Sequence, residues 1–223
     1  MLDDFSKRTK AIRAALELAQ DRGWENTSLA DIAERSGLSL SDLRREFACK
    51  SDVIRAFQKE VDSEVLAKTR TTPEQGVRDR VFDIVMTRFE VMAPYKPALK
   101  RIVADLACRP GEAANLACSS FASQYWMLAG AGVKLEGLGA GVRVAGLATI
   151  YGKTFQVWLG DTSPGLDRTM ACLDRKLRKG EDWLLGMERL CRCACGLMPR
   201  GWGRRSTDAP PPPRPESSAA PVM

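Results

Sequence analysis

The chain has 223 residues, of which 44% are hydrophobic and 28% charged, an ordinary globular balance with enough apolar material for one or two cores. It contains no histidine, which excludes a Ser-His-Asp triad, a Cys-His pair, a His-ligated zinc and an imidazole proton shuttle. The formal net charge is +6, yet residues 1–70 hold 13 Lys/Arg and 13 Asp/Glu, so the whole excess lies beyond them. Cysteines stand at seven positions, 49, 108, 118, 172, 191, 193 and 195. An odd number of them, behind a start that is charged where a secretory signal needs an apolar stretch, predicts free thiols and a cytoplasmic protein.

The first helix is marked by Ile12, Leu16 and Ala19, with Ala11, Ala15 and Leu18 beside them, and stops at Gly23. Asn26, Thr27 and Ser28 offer side-chain oxygens to cap a second helix, in which Asp31 sits in the first turn and Leu29, Ile32 and Ala33 face inward until Gly37. Ser39 caps a third short helix, Leu40 to Phe47, with Leu43 and Phe47 on one face and Ser41, Arg44 and Arg45 on the other. A longer fourth helix begins near Ser51 and carries Ile54, Phe57, Val61 and Val65. Two short helices joined through Ser36-Gly37-Leu38 and braced by a longer one make a helix-turn-helix, whose second helix can enter a major groove. Residues 1–50 are therefore predicted to be a DNA-binding domain.

From Pro73 the apolar spacing of Val77, Val81, Ile84, Val85, Phe89 and Met92 predicts another helix, broken by Pro94 and Pro97. A helix over about Ala98–Cys108 follows, then a turn at Arg109-Pro110-Gly111. The uncharged run from Ala113 to Val133 is long enough to span a bilayer, but Asn115, Ser119, Ser120, Ser123 and Gln124 weaken its apolar character. It is read as a buried helix near Ala114–Ala129, with no membrane span. Glycine-rich residues 130–141, a helix over Val142–Leu159 with many small residues, and a last long helix over Ser163–Arg192 complete an all-α chain. Residues 51–198 form the second domain, and the Pro-, Ser- and Ala-rich residues 199–223 a disordered tail with a short polyproline segment.

The segment TSLADIAERSGLSLSDLRREFACKSDVI resembles the DNA-binding domain of TetR-type transcriptional regulators. Thr27, Ile32, Ala33, Gly37, Leu38, Ser39, Phe47 and Lys50 fit that family's pattern in order and spacing. The chain departs from it in carrying Arg44, Arg45 and Glu46 where aromatic and imidazole groups are usual, and Ala48 in place of a proline. The resemblance implies a TetR-like fold: the three-helix reading head, then a helical ligand-binding and dimerisation domain whose last two long helices pair with those of a second copy. It implies a homodimer on a palindromic double-stranded operator, acting as a repressor that a small hydrophobic effector releases. The DNA contacts fall to Thr27 and Ser28 at a helix N-terminus, Ser39, Leu40, Ser41, Arg44 and Arg45 on the reading helix, and Lys50 against a phosphate. Because the head is neutral overall, affinity must come from locally clustered cations, with a modest salt dependence. The effector cavity is expected among Phe89, Met92, Phe121, Tyr125, Trp126, Tyr151 and Phe155.

A second resemblance is looser. Trp158-Leu159-Gly160-Asp161-Thr162-Ser163 and Leu173-Asp174-Arg175-Lys176-Leu177 are similar to a ubiquinone-biosynthesis accessory protein that binds lipid on a TetR-like fold without regulating genes. Other residues are given plainer readings. Cys191, Cys193 and Cys195 are a basic helix end, since a fourth metal ligand is missing; Asp161 and Asp167, flanking Ser163-Pro164, start a helix. No enzyme, metal or cofactor is expected, because no nucleophile, base and orienting group can be assembled.

Overall fold

Ser6 opens the first helix by accepting the Thr9 amide at 3.2 Å, and α1 (Lys7–Arg22) runs to Gly23 at φ +89°. α2 (Leu29–Ser36) starts at a capping box: the Ser28 hydroxyl accepts the Asp31 amide while Asp31 accepts the Ser28 amide at 2.7 Å. It ends at Gly37, whose φ of +68° and ψ of +24° place it in the left-handed region that a side chain resists. α3 (Leu40–Glu46) is capped by Ser39 and closed by Phe47, and α4 (Lys50–Lys68) follows within four residues. Ile12, Leu16 and Ala19 of α1, Ile32 of α2, Leu43 and Phe47 of α3, and Val53 and Phe57 of α4 are all buried in one core. The computed structural model describes residues 6–70, 74–137 and 139–197, with side chains as far as residue 182.

Beyond the head, α5 (Val77–Met92) passes through a 3₁₀ turn at Ala93–Tyr95 directly into α6 (Lys96–Leu106). α5 stops at Met92, ahead of Pro94, as expected, but Pro97 adds no second break. It occupies the first turn of α6, where a missing N–H leaves no bond unmade. The same physics corrects the turn expected at Arg109-Pro110-Gly111: Pro110 is the first residue of α7 (Pro110–Gly130), so that helix starts four residues earlier than its uncharged stretch suggested.

α7 also corrects the expectation of a helix buried all round. Leu116, Ser123, Gln124, Met127 and Leu128 face inward, whereas Phe121, Tyr125 and Trp126 are 42%, 46% and 55% exposed. A lack of charge left no marker for the outer face, which small residues and three aromatics occupy. At its end α7 comes very close to its neighbours: a Cβ on Gly130 would lie 2.6 Å from Leu66 Cδ2 and 2.7 Å from Ile84 Cδ1.

α8 (Gly139–Gly160) and α9 (Asp167–Leu197) are joined by a short connection that Asp161 organises. Its carboxylate accepts the Ser163 hydroxyl at 2.6 Å, the Ser163 amide at 3.1 Å, the Thr169 amide at 2.9 Å and the Thr169 hydroxyl at 2.7 Å. Those four donors, the Ser163 hydroxyl foremost, hold this carboxyl well below the usual range. The described residues up to Asp182 make up one compact unit; beyond it, only the helical backbone to Leu197 is described. The side chains of Cys191, Cys193 and Cys195 and the Pro-rich tail lie outside the described residues. Among those that are described the fold is all-helical, and no helix is long and apolar enough to cross a membrane.

Candidate DNA interface and helical core

The reading head neutralises most of its own charge. Lys7 pairs with Asp42 at 2.7 Å, Arg22 with Asp31 at 2.7 Å, Arg8 with Glu46 at 3.8 Å, and Arg35 with Asp21 at 3.3 Å and Glu17 at 3.5 Å. The Lys7 ammonium and the Ser39 hydroxyl hold Asp42 down at about 2. Ser28 and Arg22 hold Asp31 lower still. Against this background α3 stands apart. Leu40 is 57% exposed, Ser41 and Arg44 are exposed, and Arg45 is tethered only by a 3.9 Å approach to Asp42. Arg44 has no ion-pair partner among the described residues. One short helix therefore presents a leucine, a serine and two available guanidinium groups on a single outward face, a set able to contact a methyl group, a phosphate and the acceptor edge of guanine.

The other anticipated DNA contacts sit differently. Ser28 is exposed at the start of α2 but is engaged in its capping box. The Ser39 hydroxyl likewise caps α3 and reaches Ser41 at 2.9 Å and Asp42 at 2.8 Å. Thr27 is buried, and its hydroxyl donates to the Gly23 carbonyl at 2.8 Å. The Lys50 ammonium points into the molecule: it donates to the Trp24 carbonyl and lies 4.3 Å from the centre of the Trp24 ring. Burial lowers its pKa, opposed by nearby Glu112. Thr27 and Lys50 thus brace the turn between α1 and α2.

That turn is also where the head meets the core. The Asp105 carboxylate, on α6, accepts the Glu25 amide at 3.1 Å, and Arg109, just before α7, bonds Glu25 at 2.7 Å and Glu112 at 3.2 Å. The turn between α1 and α2, the end of α6 and the start of α7 are thereby bonded at the base of the reading head.

The aromatic set expected around a cavity is divided in two. Phe89 stacks on Tyr151 at 5.5 Å and on Trp158 at 5.4 Å, while Phe155 stacks on Tyr151 at 5.8 Å and on Trp158 at 5.5 Å. The Tyr151 hydroxyl lies 3.9 Å from the Met92 sulfur. These rings fill the space between α5 and α8 with each other. Phe121, Tyr125 and Trp126 are on the outer side of α7, with Tyr125 edge-on to Trp126 at 5.9 Å. The structure does not bring the two groups together.

Sequence reasoning missed the charged cluster beside the stack. Arg88, fully buried, pairs with Asp62 and donates to the Tyr151 hydroxyl at 3.1 Å, and the Ser123 hydroxyl donates to Asp62 at 2.6 Å. Burial opposes the charge on Arg88, but Tyr151 and Asp62 beside it hold its pKa above the usual range. The signal was present: Asp62 follows Val61 inside the apolar spacing of the fourth helix and Arg88 precedes Phe89 in that of the fifth, two opposite charges at core-facing positions. Gln124 Oε1 nearby is buried without a hydrogen-bond partner.

Comparison with known proteins agrees with this geometry. Residues 11–57 match the family described as bacterial regulatory proteins, tetR family, and residues 143–182 match the COQ9 family. No curated protein matches the chain. Among solved structures, a TetR transcriptional regulator from Nitrosomonas europaea superimposes with a TM-score of 0.63 at 24% identity, covering 79% of this chain and 98% of the other. One from Rhodococcus sp. RHA1 gives 0.56 at 15% identity, over 78% and 94%. A tetR-family regulator from Streptomyces coelicolor gives 0.53 at 17%, over 87% and 93%. Residues 11–57 thus match the helix-turn-helix domain of the tetR family, and the chain shares the fold of these TetR regulators.

Proposed function

We propose that the protein is a cytoplasmic, homodimeric, non-enzymatic regulator that binds a palindromic operator through α3 and is released from it by a small effector. The observation that carries this reading is the outward face of α3, where Leu40, Ser41, Arg44 and Arg45 stay available in a head whose other described cations are largely paired. A helix-turn-helix monomer reads one half-site, and a two-fold dimer reads two about 34 to 36 Å apart. α8 suits such a dimer: Gly141, Ala145, Thr149 and Gly152 are exposed at helical spacing, and the two glycines have open space around them, so a second helix can approach closely. On this reading residues 1–50 are the DNA-binding domain, 51–198 the effector and dimer domain, and 199–223 a solubilising tail.

The test is selection of bound duplexes from a random pool at moderate salt, with the wild type and an Arg44→Ala, Arg45→Ala variant side by side. Enrichment of a palindrome that the variant loses is expected; a folded dimer that enriches nothing at any salt concentration overturns the reading. A lipid-binding accessory role is the second reading, favoured by the match of residues 143–182 to the COQ9 family. Lipid co-purifying in stoichiometric amount with a protein that selects no DNA would favour it.

A further inference from the structure

A cleft of about 400 Å³ opens where the reading head meets the core. Its walls come from the start of α1 (Arg8), the end of α3 (Glu46), α4 along its length from Asp52 to Asp62, and the outer side of α7 (Ser119 to Trp126). That volume lies within the range of small-molecule sites. The stack of Phe89, Tyr151 and Trp158 fills the middle of the core with rings, whereas this cleft is open beside α4 and larger than a second one of about 300 Å³ at Phe57, Glu60 and Tyr95.

The charges around the cleft cancel in pairs, with one exception. Arg8 meets Glu46 at 3.8 Å, Arg55 pairs with Asp52, and Asp62 at the floor is neutralised by Arg88 from behind. Lys59 lines the same cleft, is exposed, and has no partner among the described residues. At the rim the indole of Trp126 is 55% exposed, an unusual position for the largest apolar side chain and one that offers a flat face. One uncompensated ammonium and one half-exposed indole, separated by a cleft with small residues such as Ala56 and Ala122 in its walls, define a complement: a planar ring carrying a single negative charge.

We propose that this cleft is the effector site, and that it takes a planar aromatic monoanion, with the ring on Trp126 and the carboxylate on Lys59. The proposal rests on the regulator reading for its consequence, but not for its binding. α4 carries both Lys59 and the contacts that seat the reading head, while Trp126 belongs to α7. A ligand spanning the two fixes how α4 lies against α7, so operator affinity changes by the ratio of ligand affinities for the free and DNA-bound forms.

The probe is 2-naphthoate, measured by calorimetric titration against the full chain without DNA, with 2-naphthylmethanol as its neutral counterpart. Saturable binding of the acid at one site per chain is expected, with the alcohol weaker by about tenfold, which is one ion pair's worth of discrimination. Lys59→Ala should abolish the preference for the acid, Lys59→Arg should keep it, and Trp126→Ala should weaken both probes. Both residues are exposed, so thermal unfolding of the variants should stay at the wild-type midpoint. The proposal is overturned by three results: no saturable binding up to about 1 mM, far above the concentrations at which a useful effector acts; equal affinity for acid and alcohol; or variants that bind both probes like the wild type. Duplex selection is scored separately. A bound probe with no enriched DNA sinks the regulator reading and leaves the site, while an enriched palindrome with no bound probe does the opposite.

Discussion

The reading head and the helical core handle the same chemistry in opposite ways. In the head, Lys7, Arg22 and Arg35 meet their carboxylates at the surface, where water already solvates both partners and a pair contributes little. In the core, Arg88 and Asp62 meet away from water, and each needs the other, plus Tyr151 and Ser123, to avoid a bare charge. Surface pairing tunes which cations remain free to meet DNA. Buried pairing ties α4, α5, α7 and α8 together, since Asp62, Arg88, Ser123 and Tyr151 come one from each.

Removing one partner of the buried pair should have the largest effect. Arg88→Ala or Asp62→Ala is expected to cost about 3–5 kcal/mol in urea unfolding, whereas Arg35→Ala in the head should cost less than about 1 kcal/mol. Replacing both at once, Arg88→Met with Asp62→Leu, should recover most of the loss, since the penalty comes from an unpaired charge rather than from absent attraction. Equal losses for the head and core variants would erase the contrast.

The reverse asymmetry is expected for DNA. Arg44→Ala and Arg45→Ala should each weaken binding to the selected duplex by about 1–3 kcal/mol if they read bases, and should leave stability within about 0.5 kcal/mol of wild type. A drop that is the same for every DNA sequence would assign these arginines to phosphates. Arg88→Met with Asp62→Leu, in turn, should leave the operator sequence unchanged.

How much of this was legible in the sequence follows the same division. The head could be read almost residue by residue, because short helices advertise their ends: Ser28, Ser39, Gly23 and Gly37 stand where caps and stops must be, and Leu43 and Phe47 face the core as their spacing requires. The core was legible only in outline. Pro97 and Pro110 looked like interruptions and are helix starts, since a proline's effect depends on whether it falls in the first turn. Phe121, Tyr125 and Trp126 looked like pocket residues because, with no charge on α7 beyond Glu112 in its first turn, hydrophobic spacing alone does not mark an outer face. Lys50 matched a pattern in sequence, but its reach to Trp24 depends on a fold that joins residues 26 positions apart.

The turn of the helix-turn-helix offers a smaller effect that isolates backbone from packing. A side chain on Gly37 has open space around it, so Gly37→Ala carries only the cost of the left-handed conformation, about 1–2 kcal/mol. Gly37→Asn should cost less, since asparagine tolerates that region. At Gly130 the backbone is unremarkable and the space is absent, so Ala and Asn should both be destabilising there, the larger one more so. Thermal unfolding of the four variants distinguishes the two causes, and a Gly37→Asn protein less stable than Gly37→Ala would count against a purely conformational role.

Acid should loosen the head in a defined window. Asp42, held at about 2 by Lys7 and Ser39, lies below the ordinary aspartate value of 3.8. A depressed carboxylate binds its proton later in the folded chain than in the unfolded one, so its contribution is complete above about pH 4 and disappears as the pH falls towards 2. Asp42→Asn removes that contribution at every pH. The variant should therefore be less stable than the wild type at pH 7, and the gap should close on acidification until the two unfold alike near pH 2. Because Lys7 and Asp42 are solvated, raising the salt concentration should narrow the gap at pH 7 as well. A gap that persists unchanged to pH 2 would mean that Asp42 acts through the cap of α3, as a hydrogen-bond acceptor whose charge is immaterial, and not through its pairing with α1.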